Sequence, residues 1–224
     1  TQDPLAEKYF GFSPYAYCAG NPIKYIDPDG RLIDDYFNQF GMFLGTDNSS
    51  TDNIRIIDDN QWNVLSNDCF IEHSIGASSS VLFSKASLTE DAALNVLNHY
   101  NMTGEALYIN NSFGGDMQTE IKAVAEFGNG GIEKIGIQNI SIGINMKKIM
   151  SDGLYDNINN LRNSFEHEMK HVRDVKEDPV AHFNRTNSEK ELRAIDFQQN
   201  TPTYLKTTPE YKLKIKQYKN LFQN

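Results

Sequence analysis

The chain has 224 residues, a formal net charge of −9, 39% hydrophobic and 23% charged residues, a length and composition that suit one good-sized globular domain with an appendage. The acidic balance argues against nucleic acid as a substrate, because a nuclease needs a basic groove to hold the phosphate backbone. No apolar run is long enough to cross a membrane, and the two cysteines, Cys18 and Cys69, make no disulfide framework.

The chain opens on Thr1 and not on Met, as a fragment of a longer protein would. Asp3 to Arg31 reads "DPLAEKYFGFSPYAYCAGNPIKYIDPDGR". Gly20, Pro22, Pro28 and Gly30 favour turns over a packed element, and Tyr9, Phe10, Phe12, Tyr15, Tyr17 and Tyr25 suit packing against a surface this chain does not contain. The stretch resembles the end of the RHS/YD-repeat core of bacterial polymorphic toxins, in which a large β-shell encloses a variable C-terminal toxin and a D-P-x-G motif marks the junction. Here that motif is Asp27-Pro28-Asp29-Gly30. The resemblance implies that residues 1–31 are the core tail of a protein secreted or delivered into a target cell. It also implies the RHS shell and a cognate immunity protein as partners. Relatives can be clipped near the motif, but Arg31 stands where an apolar residue is usual, so Asp27 and Asp29 read here as a simple turn.

From Leu32 to Asp59, Tyr36, Phe37, Phe40, Phe43 and Leu44 flank a glycine as in a hairpin, and Asn53–Ile57 reads as a strand. Residues 32–76 therefore read as a small β appendage, and 77–224 as the main domain. Thr89 starts a helix through Tyr100, with Ala92, Ala93, Val96 and Leu97 on its apolar side. Residues 106–110 and 121–127 read as strands. Ile140, Ile142, Ile144 and Met146 alternate with Ser141, Gly143 and Asn145, a period of two that makes 140–146 a strand. His73 and His99 lack paired spacing and read as structural or exposed.

The chemistry lies in "NSFEHEMKHVRD", Asn163 to Asp174, which holds H-E-x-x-H as His167, Glu168 and His171. On a helical wheel with His167 at zero, His171 falls at roughly 40° and Glu168 at roughly 100°. Leu161, Phe165, Val172 and Val175 share that half of the wheel, while Asn163, Glu166, Asp174 and the Lys and Arg residues occupy the rest. The histidines and Glu168 therefore turn inward. Buried imidazoles and a carboxylate need a partner, and two histidines four apart reach one cation. Glu168 is swung away from the coordination position and reaches a water on that metal, as a general base must.

A catalytic zinc needs a third protein ligand. Downstream, "RTNSEKELRAIDFQQ" offers Glu189 and Glu191. Two capping boxes overlap there, Thr186 with Glu189 and Ser188 with Glu191. If Thr186 caps, Glu189 is engaged and Glu191 is free. Glu191 also shares a face with Ala194, Ile195 and Gln198, so it is favoured, with Glu189 as the alternative. His182, between the two helices, and Tyr204 are candidates to steady a developing oxyanion, and Asp174 to accept an imidazole N–H. Residues 204–220 form a final helix after Pro209 with a solvated lysine face.

"HEMKH" followed by "EKELRAIDFQ" resembles the gluzincin type of zinc metallopeptidase. The resemblance implies an α+β, zincin-like domain built from a small mixed sheet, the motif helix and a third-ligand helix. It also implies Zn2+ on His167, His171 and Glu191, Glu168 as catalytic base, and a protein or peptide substrate added to an edge strand of the sheet, 140–146 or a neighbour. The competing expectation is a non-catalytic module in which a metal closed by four protein ligands, including His182 or Glu189, only stabilises a binding or adhesion surface. A nuclease toxin is the third, disfavoured by the acidic charge.

Overall fold

The computed structural model describes residues 34–47, 51–67 and 79–223. The expectations for the core tail 1–31 with Asp27-Pro28-Asp29-Gly30, and for Cys18, Cys69 and His73, fall outside the described residues. Within that range the chain is a mixed α+β protein with two small sheets and several helices.

The first sheet begins with the expected hairpin. β1 (Asp35–Phe37) turns back into β2 (Phe43–Thr46). Asn38 holds the turn by accepting from the backbone N–H groups of Phe40 and Met42 at 3.0 and 2.9 Å. Gly41 sits at φ 74°, and a Cβ there would strike the carbonyl oxygen of Ala92, so the turn lies directly on the helix that carries Ala92. β3 (Ile54–Ile56) adds parallel to β1, and β4 (Val81–Leu82) adds antiparallel to β3, giving the order β2-β1-β3-β4. α1 (Asp59–Asn67) follows β3 and lays Trp62 on Tyr36, ring centroids 5.3 Å apart.

The expected boundary between residues 76 and 77 is not a break in packing. β4 lies beyond it and completes the sheet. Phe37, Ile54 and Ile56 belong to the same core cluster as Ile142, Leu161 and Phe165. Tyr100 donates its phenol to Asp35 at 2.6 Å. So short a sheet cannot shield its own apolar face from water and takes its core from the larger unit.

α2 (Glu90–Tyr100) is capped by Thr89 and buries Ala92, Ala93, Val96 and Leu97, as its apolar spacing demands. The second sheet has the order β5-β7-β6, from β5 (Ala106–Ile109), β6 (Met117–Gly128) and β7 (Gly131–Ile144). β6 and β7 meet across the two-residue Asn129-Gly130 turn, between paired Gly128 and Gly131, and Gly131 takes a positive φ of 126° there. The alternation at 140–144 is thus only the inner end of a longer strand. Asn145 instead caps a short helix, α3 (Met146–Ile149). β7 is the central strand, paired parallel to β5 and antiparallel to β6. The sheet edge nearest the motif helix is therefore its neighbour β6. The inner end of the hairpin is core, with Ile142 and Ile144 at 0% exposure, while Val124 and Phe127 near the tip are exposed.

Asn157 caps α4 (Ile158–Glu177), accepting from the N–H groups of Asn159 and Asn160. Leu161, Phe165, Val172 and Val175 are buried, as the wheel requires. The opposite side of the wheel departs from expectation. Asn163, Glu166 and Asp174 are buried as well, at 0%, 8% and 7% exposure, because the later helices wrap that side. These are α5 (Pro179–Asn184), α6 (Asn187–Gln199), α7 (Pro202–Lys206) and α8 (Pro209–Asn220). Each of these three buried polar side chains has partners, as burial demands. Glu166 accepts from Asn163, Thr201 and Thr203 at 2.6–2.8 Å, and Asp174 pairs with Lys170, Arg185 and Arg193. Ala194, at 0% exposure, lets α6 approach α4 closely. The lysine face of α8 is partly paired and not simply solvated, through Lys214 to Asp116 at 2.6 Å and Lys219 to Asp196 at 2.7 Å. No helix among the described residues is long and apolar enough to cross a membrane.

Candidate metal centre

α4 delivers His167 and His171 one turn apart, and α6, packed alongside, delivers Glu191. The Nε2 atoms of the histidines lie 3.2 Å apart. Glu191 places Oε2 3.3 Å from His167 Nε2 and Oε1 3.6 Å from His171 Nε2. All three donor atoms fall within 4.8 Å of one another, a group that can hold a metal ion. Without a metal the carboxylate can accept from a ring N–H, whereas a cation among them would take a lone pair from each of the three donors.

Glu189 is absent from this group. Thr186 caps α6, and Glu189 closes the capping box by accepting from the Thr186 N–H at 2.7 Å. That engagement leaves Glu191, two residues on and about 200° round the helix, to face α4.

Glu168, at 5% exposure, lines the same cavity without joining the donor group. Its Oε2 accepts from the Thr119 hydroxyl at 2.6 Å, and the same hydroxyl is 3.3 Å from the Glu168 carbonyl. Thr119 lies on β6, so the sheet edge and the motif helix are joined at the side chain expected to be the base. Burial pushes the Glu168 carboxyl above its ordinary value, against the opposing pull of His167 and Thr119.

The surroundings set the protonation of the donors. Burial, and then the neighbouring His167, hold His171 down to about 3, so its ring is neutral at ordinary pH with a lone pair to offer. For His167 burial acts downward, but the hydrogen-bonded Glu191 and the charge of Glu168 outweigh it and the net shift is upward. For Glu191 burial acts upward, and the His167 hydrogen bond and charge turn the net shift downward. The metal-free donors thus share a proton that a cation replaces.

Two residues not named for the site at the sequence level stand beside it. Gln198, at 1% exposure, faces His167 with its Oε1 2.5 Å from Nδ1, and its Nε2 donates to Asn163 at 3.2 Å. An Nδ1–H donated to that oxygen leaves the His167 Nε2 lone pair directed at the donor group. Gln198 takes the place expected for Asp174, which is committed to Lys170, Arg185 and Arg193. The i+7 spacing of Gln198 from Glu191 was the available signal. Tyr218, on α8, donates to Glu191 Oε2 at 3.0 Å and lines the cavity. Burial, and then Glu191, raise its phenol well above the ordinary value, so it stays a donor.

The remaining candidates separate. His182 reaches the cavity, its ring 6.5 Å from that of His171. Burial, and then Lys190, hold it down to about 4, and its buried Nδ1 has no partner among the described residues. Tyr204 does not line the cavity. It sits on α7, packed against the core with Lys212 over its ring, and Tyr218 occupies the position that a tyrosine near Glu191 requires. His99 is exposed and stacks on Phe43, ring centroids 4.5 Å apart. The cavity itself holds about 330 Å³ and runs from β6 across the donor group to α6 and α8. The chain matches no protein-family model, no curated protein and no solved structure.

Proposed function

We propose that the chain is a zinc-dependent metalloendopeptidase with a zincin-like arrangement. The observation that carries this reading is the convergence of His167, His171 and Glu191 beside a separately held Glu168 in one cavity. Donors on a tetrahedral zinc at about 2.0–2.1 Å lie roughly 3.3 Å from one another; here the ring nitrogens are 3.2 Å apart, and the two Glu191 oxygens lie 3.3 Å from His167 and 3.6 Å from His171. Three protein donors are the complement of a catalytic site, whereas a purely structural site is closed by four. Glu189 is spent on its cap and His182 stands outside the donor group.

A zinc ion in this group would supply Lewis-acid activation of water and of the scissile carbonyl. The chain's own residues supply the rest. Glu168, held through Oε2 by Thr119, takes the proton of the attacking water and later returns it to the leaving amine. Its upward shift makes it a stronger base than an exposed carboxylate. Tyr218 can turn its phenol from Glu191 to a developing oxyanion. β6 ends its sheet, and its outer backbone edge is oriented to pair with an extended peptide.

With the RHS-like stretch at Asp3–Arg31, this reading makes the protein the toxin domain of an RHS-type bacterial protein, delivered into a target cell and neutralised by a cognate immunity protein. The test combines zinc analysis with a proteome-derived peptide digest, with and without chelator. The wild type should hold about one zinc per chain and cleave, and Glu168→Gln should keep the zinc and lose cleavage. Full proteolysis by Glu168→Gln removes the assigned base.

A further inference from the structure

We propose that the wall of the cavity built by α5 and α6 is a subsite for a carboxylate of the bound peptide, with Lys190 as its specificity-determining residue. This inference rests on the peptidase reading and adds the substrate class to it.

Asn187, Lys190 and Glu191 lie at i, i+3 and i+4 on α6, hence on one face, and all three line the cavity. Lys190 is the only lysine or arginine among the lining residues. Its ammonium rests 5.7 Å over the ring of Phe183 on α5, so it is anchored. Among the described residues it forms no ion pair. Lys170, Lys176, Lys214 and Lys219 all do.

Beside it, His182 is 4% exposed with a buried Nδ1 that has no partner among the described residues. A half-buried cation and an unmatched imidazole nitrogen on the same wall both lose solvation without recovering it inside the protein. An anionic oxygen entering the cavity satisfies the ammonium. The other charged side chains at the cavity, Glu168 and Glu191, repel an anion, so among the lining side chains the preference for negative charge comes from Lys190. The carboxylate is either an Asp or Glu side chain next to the scissile bond or the C-terminus of the peptide.

The test uses the whole zinc-loaded chain in two arms. In the first, Glu168→Gln protein is titrated with acetylated, amidated heptapeptide pools that differ only in Glu, Gln or Lys at one fixed position, and with a Gln pool bearing a free C-terminus. The Glu pool or the free-acid pool should bind about tenfold tighter than the amidated Gln pool, the size expected of one partly buried charge pair, and whichever does so names the source. Lys190→Gln should abolish that difference, and Lys190→Glu should shift preference to the Lys pool. Equal binding of all pools, or no binding of any, overturns the proposal. In the second arm, wild type and Lys190→Glu digest a proteome-derived peptide library. A wild type that cleaves nothing, alongside pool binding that discriminates and reverses, refutes the peptidase reading and leaves the carboxylate subsite standing.

Discussion

Replacing Gln198 by Leu tests whether the neighbours of the donor group, and not the donors alone, set its affinity for zinc. The side chain is 1% exposed and spans from His167 Nδ1 at 2.5 Å to Asn163 Oδ1 at 3.2 Å. Leucine fills similar volume but removes the hydrogen bonds at the buried His167 Nδ1 and Asn163 Oδ1, at about 1–3 kcal/mol each. The metal-free protein should therefore lose roughly 2–4 kcal/mol of stability. Without its acceptor, the His167 ring is no longer held in the tautomer that points its Nε2 lone pair at Glu191 and His171. Loss of such a partner weakens metal binding by about 10- to 100-fold, or roughly 1.4–2.7 kcal/mol. Gln198→Glu supplies a charged acceptor at the same reach and should hold zinc at least as tightly as the wild type. Competition against a chromophoric chelator gives the affinities, and thermal denaturation in excess chelator gives the stability. Zinc affinity within about twofold of wild type in a folded Gln198→Leu protein would refute the tautomer argument.

Glu191→Gln should lose stoichiometric zinc while Glu189→Gln retains it and only loosens the start of α6; metal analysis of both variants decides between the two carboxylates, and the reverse result would exchange their roles. For Asp174, burial acts upward but Arg193 and Lys170 prevail and hold the carboxyl down to about 2 from 3.8. Its contribution is complete above the unfolded value and is lost as pH falls from about 4 toward 2. Asp174→Asn should therefore melt below the wild type at pH 6, with the two curves converging near pH 2; a constant gap across that range would exclude ionisation as the cause. Gly41→Ala should cost roughly 2 kcal/mol or more, since φ 74° and the Ala92 carbonyl both oppose a Cβ, and an unchanged melting temperature would show that the turn is not seated on α2.

The contest for the start of α6 was legible because it is local: Thr186, Glu189, Ser188 and Glu191 lie within one and a half turns, the spacing favoured Glu191 as the free carboxylate, and the structure gives the cap to Thr186 and Glu189. Tyr218 was not legible. Residues 204 and 218 both offer a phenol, and which one reaches Glu191 depends on how α7 and α8 fold back over α6, a matter of long-range packing. The full length of the β6–β7 hairpin escaped for a related reason. Residues 121–127 of β6 and 140–144 of β7 declared themselves, but residues 131–139 of β7 are only half-buried or exposed, with no fully buried side chain to mark them as strand.

By itself the sequence determined the motif helix and the side to which it turns His167, Glu168 and His171, because helical periodicity is a local property of the chain. It also narrowed the third donor to Glu189 or Glu191 and favoured Glu191. Only the tertiary structure decided the reach of the buried surface. Helices α5 to α8 close over a side of α4 that its own polar residues would have left in water, burying Asn163, Glu166 and Asp174 with partners drawn from up to 38 residues away. It also decided that the first sheet shares the main core and that Gln198 stands behind His167. These depend on contacts between segments far apart in the chain, and no spacing within one segment encodes them.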